Sequence, residues 1–118
     1  MLTLRKVGGF YQAFDNDALI ISYLFNYKIV NYRCGFPISA IHKVINVLDE
    51  KSISYIIKQE EEQVKDFKRK NTYDKYLEKS RVRENMNTRI QNIVKKLETL
   101  DKDRLEVVLS LIEDNIYE

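Results

Sequence analysis

Residues 60–118 contain no glycine and no proline, and this feature constrains the fold of the 118-residue chain more than any other. Apolar side chains recur there every three or four positions, which is the spacing of amphipathic helices. The first stripe consists of Val82, Met86, Ile90, Ile93, Val94, Leu97 and Leu100, and the second of Leu105, Val108, Leu109, Ile112 and Ile116. We therefore predict an N-terminal domain over residues 1–59 and a charged helical segment over residues 60–118.

The helical segment is expected to form a long helix, a tight turn near Leu100-Asp101 and a shorter antiparallel helix. Asp101 or Asp103 can cap the second helix, where acidic residues are favourable. The two stripes can be buried against each other, against the N-terminal domain or in a coiled coil with a second chain. Because a stripe of this length does not stay exposed on a monomer, we expect a homodimer through the C-terminal helices.

Residues 1–59 have the pattern of an α/β (α+β) domain, a small mixed sheet flanked by helices. All three glycines and the only proline lie here. The expected order is β-α-β-β-α-β. The first element is an extended segment from Leu2 to Phe14 with a bend or bulge at Gly8-Gly9, followed by a helix from about Asn16 to Phe25 that Asp15 or Asp17 can cap. A β-rich stretch from Tyr27 to Arg33 and a break at Gly35-Phe36-Pro37 come next. The last elements are a helix capped by Ser39, with Ile41, Val44, Ile45 and Leu48 on one face, and a short strand from Ile53 to Ile57.

Composition narrows the classes of protein that fit. No apolar run approaches the roughly 18 residues that a membrane-spanning helix needs, and the N-terminus lacks the pattern of a signal peptide. We therefore expect a cytoplasmic protein without membrane contact. The single cysteine, Cys34, excludes an internal disulfide and is expected to be a small buried hydrophobe. His42 has no apparent catalytic partner, so we expect no catalysis, no cofactor and no metal site.

The net charge of +2 hides an uneven distribution along the chain. Residues 64–96 carry eleven Lys/Arg and four Asp/Glu, a net +7, whereas residues 97–118 carry a net −5. A basic stretch interleaved with Tyr73 and Tyr76 suits phosphate contact and base stacking, although a solvated helix face is the simpler interpretation. The basic residues of this stretch are Lys65, Lys68, Arg69, Lys70, Lys75, Lys79, Arg81, Arg83 and Arg89.

Three motifs of the first 59 residues, in order and spacing, resemble the N-terminal mismatch-recognition domain of the MutS DNA mismatch repair family. Val7-Gly8-Gly9-Phe10-Tyr11-Gln12-Ala13-Phe14, followed by Asp17-Ala18, is similar to the family's Gly-x-Phe-Tyr-Glu-x-Phe and Asp-Ala pattern. Gly35-Phe36-Pro37 is similar to its Gly-Phe-Pro turn, and residues 54–59 resemble its closing strand.

The resemblance implies a function for two side chains. In the family, the phenylalanine wedges into DNA from the minor groove and stacks on a mispaired base, and the glutamate two residues later hydrogen-bonds that base. Phe10 occupies the position of the wedge, and Gln12 replaces the glutamate by a neutral amide. Tyr11 and Phe14 are expected in the core. The ATPase of the family has no counterpart here, since no Gly-x-x-x-x-Gly-Lys-Ser/Thr motif occurs.

The preferred expectation is a stand-alone, non-catalytic module that binds mismatched, distorted or branched DNA, or a junction between single strand and duplex. Phe10 would wedge, Gln12 would contact a base edge, and the cations between residues 65 and 83 would hold phosphates. The alternative is a protein-interaction or regulatory module that no longer contacts DNA, for example an accessory protein of a mobile element or phage. An enzyme is the least favoured class.

Overall fold

Within residues 1–117, which the computed structural model describes, the chain forms a five-stranded mixed sheet, four α-helices and two short 3-10 helices. The predicted fold, a mixed sheet with helices followed by C-terminal helices, is confirmed. The strands are β1 (Leu2–Val7), β2 (Phe10–Phe14), β3 (Arg33–Pro37), β4 (Tyr55–Lys58) and β5 (Gln63–Lys65). The helices are α1 (Asp15–Phe25), α2 (Ile41–Glu50), α3 (Tyr73–Glu98) and α4 (Lys102–Ile116), with 3-10 turns at Ile38–Ala40 and Lys68–Lys70.

The sheet has the strand order β3-β2-β1-β4-β5. β1 pairs in parallel with β4, and the other three pairs are antiparallel. Val7 faces Phe10 across a two-residue turn, in which Gly8 adopts a φ of +58°. A positive φ at the first central residue is the requirement of a type II′ hairpin, and glycine meets it without steric cost. The predicted bend at Gly8-Gly9 is therefore a tight hairpin.

The hydrophobic core lies on one side of the sheet. Alternate strand residues point to that side, and the helices supply the facing apolar residues. From the strands come Leu2, Leu4, Tyr11, Ala13, Cys34, Phe36, Tyr55 and Ile57; from the helices come Ala18, Ile20, Ile21, Val44, Leu48 and Leu77. Val44 and Leu48 are fully buried and Ile41 and Ile45 pack against the core, so the predicted apolar face of α2 is confirmed.

The predicted strand from Tyr27 to Arg33 is wrong. This stretch contains one isolated bridge between Val30 and Arg33, because Asn31 and Tyr32 take positive φ values and turn the chain. The strand instead occupies Arg33–Pro37, so Gly35-Phe36-Pro37 does not break the sheet. Proline is tolerated there because β3 is an edge strand that needs no donor on its outer side.

Two of the three predicted helix caps are also wrong. α1 begins after Phe14 and α2 after Ala40, in both cases without a side-chain cap, so neither Asp15, Asp17 nor Ser39 caps a helix. Asp101 does cap α4, since its carboxylate accepts from the backbone N–H of Arg104 at 2.9 Å.

Asp17 connects three elements. One carboxylate oxygen accepts from the backbone N–H of Thr3 in β1 at 3.1 Å, beyond the point where the β1–β2 pairing ends. The other accepts from the Tyr73 hydroxyl at the start of α3 at 2.6 Å. Burial raises the pKa of Asp17 above its ordinary value, although both hydrogen bonds act in the opposite direction.

The first compact unit runs from Met1 to Glu84, well past the boundary at residue 59 that composition suggests. Buried Ser54 provides one reason, because its hydroxyl accepts from the backbone N–H of Phe67 and its own N–H donates to the Asn71 side chain. Leu77 of α3 provides another, because it belongs to the core. The charged segment after residue 59 therefore supplies both β5 and a structural helix.

The second unit begins at Asn85 and contains the remainder of α3 together with α4. No side chain between Lys102 and Ile116 is buried. Within the described residues 85–117, the apolar side chains that stay exposed are Met86, Ile90, Ile93, Val94, Val107, Leu109, Leu111 and Ile116. No helix in residues 1–117 is long and apolar enough to cross a membrane.

We expect a fragment of residues 1–84 to fold and a fragment of residues 1–59 not to fold. The shorter fragment loses the Leu77 side chain, worth about 1.5–3 kcal/mol of burial, and leaves the buried Ser54 groups without partners at about 1–3 kcal/mol. Circular dichroism during thermal unfolding tests this. A cooperative transition in residues 1–59 would contradict the structural boundary.

Asp17→Asn is expected to change the pH dependence of stability. The folded carboxyl has a raised pKa, so ionisation weakens the fold above that pKa, and the penalty vanishes as the pH falls below the unfolded pKa of about 4. The wild type should therefore gain free energy of unfolding relative to the variant between pH 7 and pH 4. Urea titrations at both pH values measure this difference, and an unchanged difference would refute it.

Candidate nucleic-acid interface

The side of the sheet opposite the core carries no helix from α1 or α2, and we call it the open sheet face. Its residues alternate with the buried ones along each strand. They are Thr3, Arg5 and Val7 of β1, Phe10, Gln12 and Phe14 of β2, Arg33, Gly35 and Pro37 of β3, Ile56 and Lys58 of β4, and Val64 of β5. The face therefore combines aromatic, aliphatic and basic side chains.

Phe10 lies on this face directly after the hairpin turn, and 53% of its surface is exposed. Val7 and Pro37 face it from the two neighbouring strands. The turn is held in place because the backbone N–H of Ile38 donates to the Gly9 carbonyl at 3.1 Å. An exposed ring on a fixed hairpin can contact a ligand without refolding the strand.

Gln12 lies one step along the same face and is half-buried. Gly35 faces it from β3, and a Cβ built on Gly35 would lie 3.7 Å from the Gln12 Cγ. The missing side chain at Gly35 thus leaves the Gln12 amide uncovered on one side. A carboxamide both donates and accepts hydrogen bonds.

Two cations continue this row across the sheet. Arg5 faces Gln12 on one side and Lys58 on the other. A third cation, Arg33, faces Phe14. Among residues 1–117, the salt bridge that forms is Arg104–Asp101, so Arg5, Arg33 and Lys58 keep their charges free of ion pairs.

Phe14 was expected in the core, and that expectation is wrong. It shares the parity of Phe10 and Gln12 along β2, so it projects onto the open sheet face with 38% of its surface exposed. Tyr11 has the opposite parity and is buried as predicted. Its ring stacks on Phe36 with centroids 5.8 Å apart, and its hydroxyl donates to Gln59 at 2.8 Å.

The cluster of predicted phosphate ligands after β4 lies far from Phe10. Lys65 faces Tyr55 and shares its covered side, where its ammonium lies 5.6 Å from the centre of the Phe67 ring. Lys68, Arg69 and Lys70 form the exposed 3-10 turn that follows. Because Tyr55 pairs with Leu2, this turn is near the far end of β1, roughly 17 Å from the Val7–Phe10 end at 3.3 Å per residue.

The predicted ligands on α3 also take part in packing. The ammonium of Lys75 lies 5.8 Å from the centre of the Tyr76 ring. Arg81 donates to the Asn16 side chain at 3.4 Å, and Arg83 donates to the Tyr23 carbonyl at 3.1 Å. Tyr73 and Tyr76, which composition suggested as stacking residues, are partly buried against the core.

Phe10 and Gln12 of the open sheet face were predicted as site residues from the sequence, whereas Arg5, Arg33 and Lys58 were not. The strand alternation of Phe10, Gln12 and Phe14 was a usable signal for Phe14. No signal was available for the cations, because their neighbours depend on strand order.

Cys34 and His42, the two reactive side chains considered in the sequence analysis, lie in different environments. Cys34 is buried in the core, as predicted, and burial raises the pKa of its thiol to about 11. A thiol of that pKa is unreactive near neutral pH. His42 is exposed on α2. The described residues contain no cluster of His, Cys, Asp and Glu that could hold a metal ion.

The geometry thus provides a partly apolar, basic surface suited to a flat, anionic ligand. No protein-family model matches the chain, and no curated protein matches it significantly.

Proposed function

We propose that this protein is a non-catalytic nucleic-acid-binding module that recognises mismatched, distorted or branched DNA by wedging Phe10 into the base stack. The observation that carries the proposal is the exposure of Phe10 on a tight hairpin, next to the cross-strand row of Gln12, Arg5 and Lys58. A buried Phe10 would have been incompatible with wedging.

Selectivity for distorted DNA follows from the cost of insertion. An apolar wedge unstacks a base step at a cost of a few kcal/mol, and this cost is smallest where pairing is already weak. The Gln12 amide, two residues along on the same face, is positioned to hydrogen-bond the edge of the displaced base. Its neutrality removes the repulsion that a carboxylate would exert on nearby phosphates.

Phosphate contacts come, in this proposal, from two places. Arg5 and Lys58 lie in the same row as Gln12. Lys68, Arg69 and Lys70 follow β5, which is three strands away from β2, and they lie roughly 17 Å further along the strand direction than Phe10. They would therefore reach phosphates at least about five duplex steps away, at 3.4 Å per step. Lys65, Lys75, Arg81 and Arg83 add to the net charge of +7 over residues 64–96, but their packing contacts make them weaker candidates.

The structure also bears on the resemblance to the mismatch-recognition domain of the MutS family, which we keep as a proposal. The two motifs of the resemblance that contain Phe10 and Pro37 are separated in sequence but adjacent in the sheet, where Phe10 of β2 faces Pro37 of β3. This adjacency supports a common site. The proposed location is the cytoplasm, where a lone buried thiol stays reduced.

A second candidate is a protein-interaction or regulatory module, such as an accessory protein of a mobile element or phage. The exposed apolar side chains of residues 85–117 favour it. Opposite charges on residues 64–96 and 97–118 suit pairing with a second copy. We propose a homodimer through these helices, which is compatible with either function.

Phe10→Ala should abolish the preference for a mismatched over a matched duplex, because the stacking wedge is gone. Val7→Ala, the neighbouring exposed residue on the same face, should retain it. Electrophoretic mobility shifts at two salt concentrations, with matched, mismatched and branched DNA, measure both. An undiminished preference in Phe10→Ala would refute the wedge.

The double variant Ile90→Glu/Ile93→Glu should be monomeric, because it places charges on the exposed stripe of α3. The wild type should have twice the 14.1 kDa mass of one chain in sedimentation equilibrium. Thr88→Glu, which adds a charge on the opposite side of the same helix, is the matched control and should remain dimeric. A monomeric wild type would exclude the homodimer.

A further inference from the structure

Phe14 gives the open sheet face a second exposed aromatic ring, which the wedge does not use. Phe10 and Phe14 point to the same side of β2, four residues apart. At about 3.3 Å per residue their positions are roughly 13 Å apart. They are therefore two separate stacking positions.

This separation argues against both rings acting within an intact duplex. Neighbouring stacked bases are about 3.4 Å apart, so roughly 13 Å spans about four of them. Two wedges at that spacing would have to open two steps of one short duplex, at a cost of a few kcal/mol for each. A single strand has no such cost, because its bases can separate and stack on individual aromatic side chains.

The charges around Phe14 suit the backbone of a single strand. Arg33 faces Phe14 directly, and Arg5 and Lys58 line the same shallow groove as its ring. Asp15 and Asp17 border this groove, and the carboxylate of Asp17 accepts hydrogen bonds from Thr3 and Tyr73. The three cations, which form no ion pair, still outnumber these two acids.

The acidic loop after β4 lies toward the other side of the sheet. Glu60 and Glu61 share a surface pocket with Lys6 and Gln59, and strand alternation directs Lys6 and Gln59 away from the open sheet face. The sheet is thus basic and aromatic on its open side, whereas its strongest local negative charge is displaced from that side.

We propose that the open sheet face binds unpaired nucleotides, with a base stacked on Phe14 and phosphates held by Arg33, Arg5 and Lys58. The proposal deepens the proposed function and rests on it: the preferred ligand is a duplex that ends in, or is interrupted by, a single-stranded segment. Phe10 acts where pairing stops, and Phe14 receives a base from the unpaired strand.

Fluorescence anisotropy with the full chain tests this, using a labelled oligothymidylate of about 12 nucleotides and a mismatched duplex without single-stranded ends. Phe14→Leu keeps apolar bulk but removes the stacking ring. It should weaken oligothymidylate binding about 5- to 150-fold, the equivalent of roughly 1–3 kcal/mol per stacked base, and leave the mismatch preference unchanged. Tyr117→Leu removes an exposed aromatic ring elsewhere and should have no effect.

The salt dependence of binding tests the contacts between the cations and the phosphates. Arg33→Gln and Lys58→Gln should each lower the salt dependence of oligothymidylate binding by about one phosphate contact. Lys43→Gln, an exposed lysine on α2, should leave it unchanged. Circular dichroism of each variant, with a melting temperature close to wild type, ensures that the comparison reports binding.

The outcomes separate the two proposals. Preference for the mismatched duplex without oligothymidylate binding would overturn the single-strand site and leave the wedge intact. Oligothymidylate binding that depends on Phe14, without mismatch preference, would support the single-strand site and overturn the wedge. Equal binding by Phe14→Leu and wild type would overturn the single-strand site.

Discussion

One-sided burial of the sheet is the constraint on which the rest of the structure depends. The strands place Leu4, Ala13 and Phe36 on one face, and helices α1 and α2 cover that face alone. Period-two alternation then forces every intervening residue to the other side. The exposure of Phe10 and Phe14 is therefore a direct consequence of how the core is built.

The chain after residue 59 completes this core. Ser54 and Asp17 both accept hydrogen bonds from residues 66–73, and the Leu77 side chain packs into the apolar core. These contacts are polar as well as apolar, so removing one partner leaves a buried donor or acceptor unsatisfied, which costs more than the hydrogen bond contributes. A segment whose composition suggests an appendage is thereby part of the fold.

The fold class, α2 with its buried face and the cap at Asp101 could be predicted because each depends on local periodicity or on a local side-chain hydrogen bond. The stretch from Tyr27 to Arg33 could not, since β-prone residue types there are overridden by positive φ values at Asn31 and Tyr32. β5 is only three residues long, which is too short to show the alternation of polar and apolar residues that predicts a strand.

The site residues that alternate along a single strand could be predicted from the sequence. Phe10 and Gln12 came from a motif on one strand, and the same parity placed Phe14 beside them. Arg5, Arg33 and Lys58 come from three other strands, so their proximity depends on the order β3-β2-β1-β4, which no local pattern encodes. Arg81 and Arg83, which were selected by a linear count of positive charge, also donate hydrogen bonds within the fold.

The two outer strands have a consequence for assembly. β3 ends in Pro37, which has no N–H to donate, and β5 is three residues long, carries Lys65 and follows three consecutive glutamates. Both features discourage the addition of a further strand from another molecule. In the proposed homodimer, contacts between copies would therefore come from the helices and not from sheet extension. Residues of the proposed dimer contact and residues of the proposed binding face would then vary independently, so that a change in one property need not disturb the other.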